Sequence, residues 1–311
     1  MSAQIEQTLP AIEATYKSRE VEGILDLYFY RPLGFRLAQF FARFDVTPSQ
    51  VTFLGACLGI TAGHLYFYRE LSVNIAGMGL QVVANALDNA DGQLARLTNR
   101  KSRTGRAIDG LADHLVFASI YFHLTLRYLI AGASPDVVVL ALAALLSHAW
   151  QASVADYFRN SYLLFLKGRS GAEADSVFAL RSDYQELSWR GAFWDKFLLA
   201  LYLNFTRQQE MLSPNLKRLR EASGRQFRQG IPTWFQLRYR DAAQPMLRWW
   251  GLAMTNTRMV LLFLFLLVGQ PIWYFWVELT AFNLLVGFLL FRQERMSRAL
   301  LDFALPRPAS S

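Results

Sequence analysis

A single cysteine, Cys57, is all the thiol chemistry the chain holds, so no disulfide closes within it. Cys57 lies inside an apolar run and carries no information about redox compartment. Histidine is almost as scarce. His64, His123 and His148 are scattered singly along apolar segments, which argues against a histidine-based metal site. The fourth, His114, follows an aspartate but has no second histidine nearby, and packing or hydrogen bonding accounts for it better than proton shuttling. The first twenty residues, MSAQIEQTLPAIEATYKSRE, lack the basic start and apolar run of a secretory leader, so a cleavable signal peptide is not expected. Charge is thin at 18% of residues, yet unbalanced at +8. That excess does not suggest nucleic acid, because the basic residues sit between apolar spans, where anionic lipid and the positive-inside rule account for them.

What the chain has in quantity is oil: 53% apolar side chains with 24 Phe and 8 Trp in 311 residues. This composition predicts an all-α integral membrane protein. After a polar lead-in, Leu33 to Phe44 puts Leu37, Phe40, Phe41 and Phe44 on one helical face, with Arg36 and Arg43 off it. Such a helix either lies in the membrane interface or packs on protein. Pro48 then disfavours helical geometry at Thr47 and sets a boundary.

Apolar spans are expected at residues 51–68, 73–87, 107–130, 137–166, 258–268 and 272–291. Gly77 and Gly79 would let the second approach a neighbour closely, and Gly55, Gly59 and Gly63 form a small-residue ridge on the first. That ridge suits either a homodimer or packing within one subunit. The stretch 167–256 holds no long apolar run. Its best candidate, Phe193 to Phe205, is interrupted by Asp195 and Lys196 and is too short to cross a bilayer of about 30 Å, so an interfacial or packed helix is expected. From Lys217 to Arg248 this insertion is basic and interleaved with Phe227, Trp234, Phe235 and Tyr239, followed by Trp249 and Trp250. That mixture suits a headgroup layer or the solvated face of a subdomain. The expected organisation is a lead-in with the amphipathic helix (1–50), four spans (51–166), a cytoplasmic insertion (167–256), two spans (257–293) and a tail (294–311). With both ends inside, the three outer turns contain one basic residue, Arg69, which puts almost every other Lys or Arg on the cytoplasmic side.

Against this apolar background, Asp88, Asp91, Asp109 and Asp113 stand out. Steps of three and four residues turn a helix by about 300° and 400°, so Asp88 shares a face with Asp91, and Asp109 with Asp113. A polar loop, 97–104, joins the two segments and allows all four carboxylates to converge. Converging anions need cations between them, and hard oxygen ligands suit Mg²⁺ or Mn²⁺. As caps or partners of Arg96, Arg100, Arg103 and Arg106, one aspartate would be unremarked; four at this spacing near membrane depth point to chemistry.

Written out, the stretch is Asp88-x2-Asp91-Gly92-x2-Ala95-Arg96-x8-Gly105-x3-Asp109-x3-Asp113. It resembles the signature of the CDP-alcohol phosphotransferase family at every fixed position. Thr47 to Thr52 is also similar to a segment many members carry, with Ser49 where asparagine is usual. The resemblance covers roughly residues 30–165 and fades over the insertion. It implies a six-helix membrane fold that moves a substituted phosphate from a CDP-alcohol to an alcohol acceptor, releasing CMP, with two Mg²⁺ or Mn²⁺ ions. Carried over, Asp88, Asp91 and Asp109 would be metal ligands, and Asp113 the general base that also touches a metal. Gly92, Ala95 and Gly105 would give the CDP moiety room, and Arg96 would pair with its diphosphate. Arg159 and Arg258 would bind an acceptor phosphate, or else pair with acids or snorkel. Thr47, Pro48 and Thr52 would hold nucleotide or cap a helix. CDP-diacylglycerol is the expected donor, with a small polar acceptor; a soluble CDP-alcohol donor is the alternative. A transporter using intramembrane carboxylates and a non-catalytic scaffold are the readings from other classes.

Overall fold

The structure is a computed structural model, and it describes residues 18–168 and 176–304. The first part of the expected lead-in (1–17), residues 169–175 of the insertion and the end of the tail lie outside the described residues. Every described element is helical, as the composition predicts. A π-helical turn, Asp26–Tyr30, runs into α1 (Arg31–Ala42). Then come α2 (Pro48–Leu65), α3 (Leu71–Leu97), α4 (Arg103–Ile130), α5 (Asp136–Lys167), α6 (Val177–Glu186) and α7 (Phe193–Leu212). The chain continues through α8 (Pro214–Gln226), α9 (Thr233–Leu252), α10 (Thr255–Leu267), α11 (Ile272–Val277), a second π turn (Glu278–Phe282) and α12 (Asn283–Ala304).

Three stretches are long and apolar enough to cross a membrane: Asp136–Lys167, Thr233–Leu267 and Ile272–Phe303. The second runs back through α9, so the helix leading into the expected fifth span begins well inside the expected insertion. The expected span at α4 (107–130) is outside this set, and so are those at α2 and α3. They carry a glycine ridge and buried amides, Asn74 and Gln81, where a lipid-facing helix would carry branched apolar side chains.

The chain divides into two compact units. One holds residues 18–147 and Arg258–Leu279. Its core is a continuous cluster that includes Tyr66, Ile120, Tyr121, Leu124, Leu262 and Phe275. α2 starts at a reciprocal cap: Thr47 N–H donates to Gln50 Oε1 at 2.9 Å, and Gln50 N–H donates to Thr47 Oγ1. Its glycine ridge is spent inside the chain. A Cβ on Gly59 would meet Val116 at 2.7 Å, one on Gly63 would meet Ser119 Oγ at 2.7 Å, and Gly55 faces Leu87 and Ala84. Of the two glycines in the first half of α3, Gly77 lies against the Tyr66 ring and Gly79 faces open space. At the far end of α2, the buried Arg127 guanidinium donates to the carbonyls of Tyr66 and Tyr68, which have no acceptor role left within the helix.

α1 packs on α3, and the face it buries is Gly34, Phe35 and Ala38. Leu37 and Phe41 flank the contact, and Phe40 and Phe44 stay exposed. The helix is therefore packed on protein along one side and bare along another.

The second unit comprises residues 148–168, 176–257 and 280–304. α6 to α9 show that the insertion is folded. Phe235, Tyr239 and Trp250, grouped by sequence with headgroup aromatics, are core residues: Phe165 meets Tyr239 at 4.3 Å, and Phe158 stacks on Trp250 at 5.3 Å. Trp234 and Trp249 remain exposed. Glu294 on α12 accepts the orphan N–H groups of Asn215 and Leu216 at the start of α8.

Candidate active site

Three of the four signature aspartates come together. One carboxylate oxygen from each of Asp88, Asp91 and Asp109 lies within 4.8 Å of the others. Asp88 and Asp91 sit one turn apart near the end of α3, and Asp109 lies two turns into α4. The connection between them is built by local chemistry. α3 stops at Thr98, Asn99 takes a left-handed conformation (φ 55°), and Ser102 caps α4 by accepting from Gly105 N–H at 2.9 Å. Arg100 reaches Asp45 at 2.7 Å, so this arginine serves the end of α1.

The cluster is graded in exposure, with Asp88 open, Asp109 half-buried and Asp91 buried. Thr52 supplies Asp91 with a hydroxyl donor at 2.5 Å from Oδ2. The same hydroxyl is 3.1 Å from the Pro48 carbonyl, within its own helix. Burial above all, then the charges of Asp109 and Asp88, push the Asp91 carboxyl well above the ordinary carboxylate range. A carboxylate trio in this state repels itself, and a divalent cation among the three oxygens would reverse the balance. The donor set is all hard oxygen, which fits Mg²⁺ or Mn²⁺.

The support behind the trio comes from a part of the chain the motif does not include. A Cβ on Gly34 would lie 3.1 Å from Ala90 N and Asn89 C, so α1 comes down on the backbone of the acidic helix. Gln93 donates to the Arg31 carbonyl at 3.1 Å, and Arg31 is itself held by Glu22 at 2.8 Å. One turn before Asp88, the Asn85 amide donates to Met259 Sδ on α10 at 3.1 Å. Gly34 and Ala38, small residues four apart, are the sequence signal that would have revealed this docking face.

The remaining expected residues fall out as follows. Asp113 is exposed, one turn beyond Asp109 on α4, and outside the 4.8 Å trio. The Arg96 guanidinium folds over Gly92, where an added Cβ would meet Nη2 at 3.3 Å. Gly105 and Ala95 are half-buried on α4 and α3. Thr47 and Pro48 form the cap of α2, and only Thr52 of that segment reaches the carboxylates. Arg258 is fully buried and ion-paired with Glu278. Arg159 belongs to the other unit, half-buried on α5. His114 bonds to the Gly110 carbonyl of its own helix. His64 and His123, remote in sequence, have ring centroids 4.9 Å apart.

Residues 45–166, from the left-handed turn at Asp45 to the end of α5, match the family model of CDP-alcohol phosphatidyltransferase. Over this stretch the chain matches a CDP-alcohol phosphatidyltransferase domain. All four aspartates and Arg159 lie within the matched stretch, and Arg258 lies outside it. Archaetidylinositol phosphate synthase of Pyrococcus horikoshii is 36% identical over 107 residues, 34% of this chain and 54% of that protein. CDP-diacylglycerol–serine O-phosphatidyltransferase of Mycobacterium bovis is 40% identical over 73 residues, 24% of each chain. A bifunctional IPC transferase and DIPP synthase of Thermococcus kodakarensis is 28% identical over 141 residues, covering 45% of this chain and 31% of the relative. The match thus spans from about a quarter to about half the length of these relatives.

Proposed function

We propose that the protein transfers a substituted phosphate from a CDP-alcohol, CDP-diacylglycerol by preference, to the hydroxyl of a small polar alcohol, releasing CMP in phospholipid synthesis. The observation that carries this is the convergence of Asp88, Asp91 and Asp109 within 4.8 Å in a phosphatidyltransferase domain. A relative named for a CDP-diacylglycerol donor supports the choice of donor.

The three carboxylates would hold Mg²⁺ or Mn²⁺, which when bound neutralises diphosphate charge and polarises the bond to the leaving CMP. Thr52 keeps Asp91 in one rotamer, so the oxygens are positioned before substrate arrives. Arg96, lying over Gly92, presents a planar two-donor edge suited to a diphosphate oxygen pair, a geometry lysine lacks. Gly92, Ala95 and Gly105 leave room for the CDP moiety along the same helix faces. Asp113, exposed one turn beyond Asp109, would take the acceptor hydroxyl proton and could also contact the metal held by the other three. Arg159 and Arg258 are the basic groups we assign to an acceptor phosphate. For Arg258, that role requires Glu278 to share the guanidinium.

The topology that goes with this reading has six spans, with the termini and carboxylates on the cytoplasmic side, where nucleotide donors are made. Membranes containing the protein, supplied with Mn²⁺ and a panel of CDP-alcohols and acceptors, should release CMP from at least one pair. Asp113→Asn should cut that release about 10²- to 10⁴-fold; unchanged release removes Asp113 from the mechanism. No CMP from any donor, with carboxylate-dependent movement of ions across the membrane, would favour the transporter reading instead.

A further inference from the structure

α6 and α7 enclose a cleft that the phosphatidyltransferase match, ending at residue 166, does not reach. Its volume is about 700 Å³, and two guanidiniums, Arg181 and Arg207, stand at its walls beside Tyr184, Gln185 and Asn204. Among the described residues, no carboxylate lines it. Among the described residues, neither arginine forms an ion pair. A cleft of this size with two uncompensated cations and neutral hydrogen-bonding groups suits a phosphate-bearing headgroup.

The surface beside the cleft is apolar and uncovered. Trp194, Phe197 and Leu201 form one exposed stripe on α7, with Trp194 71% exposed. On α6, Phe178 is 86% exposed and shares a face with Arg181. Along α7 the stripe continues through Asn204 and Gln208, so an aromatic end gives way to a polar end next to Arg207. Aromatic rings beside guanidiniums, graded from apolar to polar, match the chemistry of the layer between acyl chains and headgroups.

The depth at which this hairpin is anchored agrees. The Gln209 amide of α7 donates to the Ser153 carbonyl and to Asp156 Oδ2 of α5, both at 3.1 Å. Glu210 accepts the first N–H of α6, from Val177. α5 is long and apolar enough to cross a membrane from Asp136. At roughly 1.5 Å per residue, Ser153 to Asp156 lie about 26 to 30 Å along it, one hydrocarbon thickness from its start. Asp156 and Arg159, the first charged residues on α5 after Asp136, begin at the same level. The hairpin is therefore fixed to α5 where the headgroups lie.

We propose that the α6–α7 hairpin is a lipid-docking element that inserts its aromatic stripe at the bilayer surface and takes the phosphate of an anionic phospholipid between Arg181 and Arg207. This site is separate from the signature aspartates, and it does not depend on the catalytic reading.

The test uses the full chain with Cys57→Ser and Trp194→Cys, labelled at position 194 with an environment-sensitive fluorophore and reconstituted into phosphatidylcholine vesicles. These contain a minor fraction of brominated phosphatidylglycerol or brominated phosphatidylcholine as quencher. Quenching should occur with both lipids and be stronger with the anionic one. With each arginine near the surface contributing roughly fivefold to anionic preference, Arg181→Gln/Arg207→Gln should bring the two quenchers to parity. Both arginines are exposed, so the double variant is expected to fold, and an unchanged elution volume in detergent checks this. Equal quenching by both lipids in the parent protein overturns the phosphate site. Absence of quenching by either overturns membrane docking altogether and leaves a soluble or protein-covered face. Anionic preference surviving in the double variant assigns the lipid to other residues and likewise rejects the cleft. If the label at 194 disturbs folding, the same comparison at Phe178→Cys decides the matter.

Discussion

At the scale of single residues, Thr52 shows how a hydroxyl conditions a carboxylate it cannot replace. Asp91 is the most buried of the trio, and among the described residues its side-chain donor is the Thr52 hydroxyl at 2.5 Å. Losing a partner of this kind typically lowers metal affinity about 10- to 100-fold, because the ligand's orientation is no longer fixed. Thr52→Val should therefore weaken Mn²⁺ binding to that extent in an electron paramagnetic resonance titration, while Thr52→Ser, which keeps the donor, should bind nearly as the parent does. Equal affinity in all three proteins would sink the positioning role. The motif itself marked the four aspartates, Gly92, Arg96 and Gly105, because their offsets are a local, one-dimensional property. That Thr52 would serve Asp91, 39 residues away, and not merely cap its helix, depends on how α2 crosses α3, which no spacing reveals.

Elements are where small residues acquire meaning. Gly59 and Gly79 look equivalent in the sequence, each a glycine in an apolar run. A Cβ on Gly59 would strike Val116 at 2.7 Å, and one on Gly79 would meet nothing. Gly59→Leu should therefore prise α2 from α4 and cost about 1–3 kcal/mol or more. Gly79→Ala should be neutral or stabilise by up to about 1 kcal/mol, through helix propensity. Thermal melting of the detergent-solubilised protein separates the two, and a reversed order would contradict the packing. The Arg258–Glu278 pair is a second element-level device, joining α10 to the π turn that interrupts α11 and α12 inside an apolar cluster. Glu278→Leu alone strands a buried cation and should destabilise by roughly 3–5 kcal/mol. Arg258→Met/Glu278→Leu should recover much of that loss in the same melting assay. If the double variant folds yet shows a raised KM for a phosphorylated acceptor, the acceptor-binding assignment of Arg258 stands; an unchanged KM reduces it to a structural pair.

For the whole molecule, the sidedness of the spans is the outstanding prediction. With Cys57 replaced by serine, a cysteine at Lys101, in the loop between α3 and α4, should react with an impermeant maleimide only from the cytoplasmic face. One at Ser134, in the turn before α5, should react only from the opposite face. Labelling of both from one side would remove the six-span arrangement and the placement of the carboxylates in the cytoplasm.

Two levels of determination are visible in this chain. The sequence by itself determined the helical class, the long apolar stretches and the family signature with its spaced carboxylates, because apolar content, helical period and motif offsets are local properties. It also marked the start of α2, through Thr47-Pro48, since capping is local too. Only the tertiary structure decided which aspartates meet, where the Gly55–Gly63 ridge is used, and that Phe235, Tyr239 and Trp250 fill a core instead of facing lipid headgroups. Those outcomes turn on which face of each helix another helix covers. Periodicity names the faces of a helix, and only the packed chain assigns each face its neighbour.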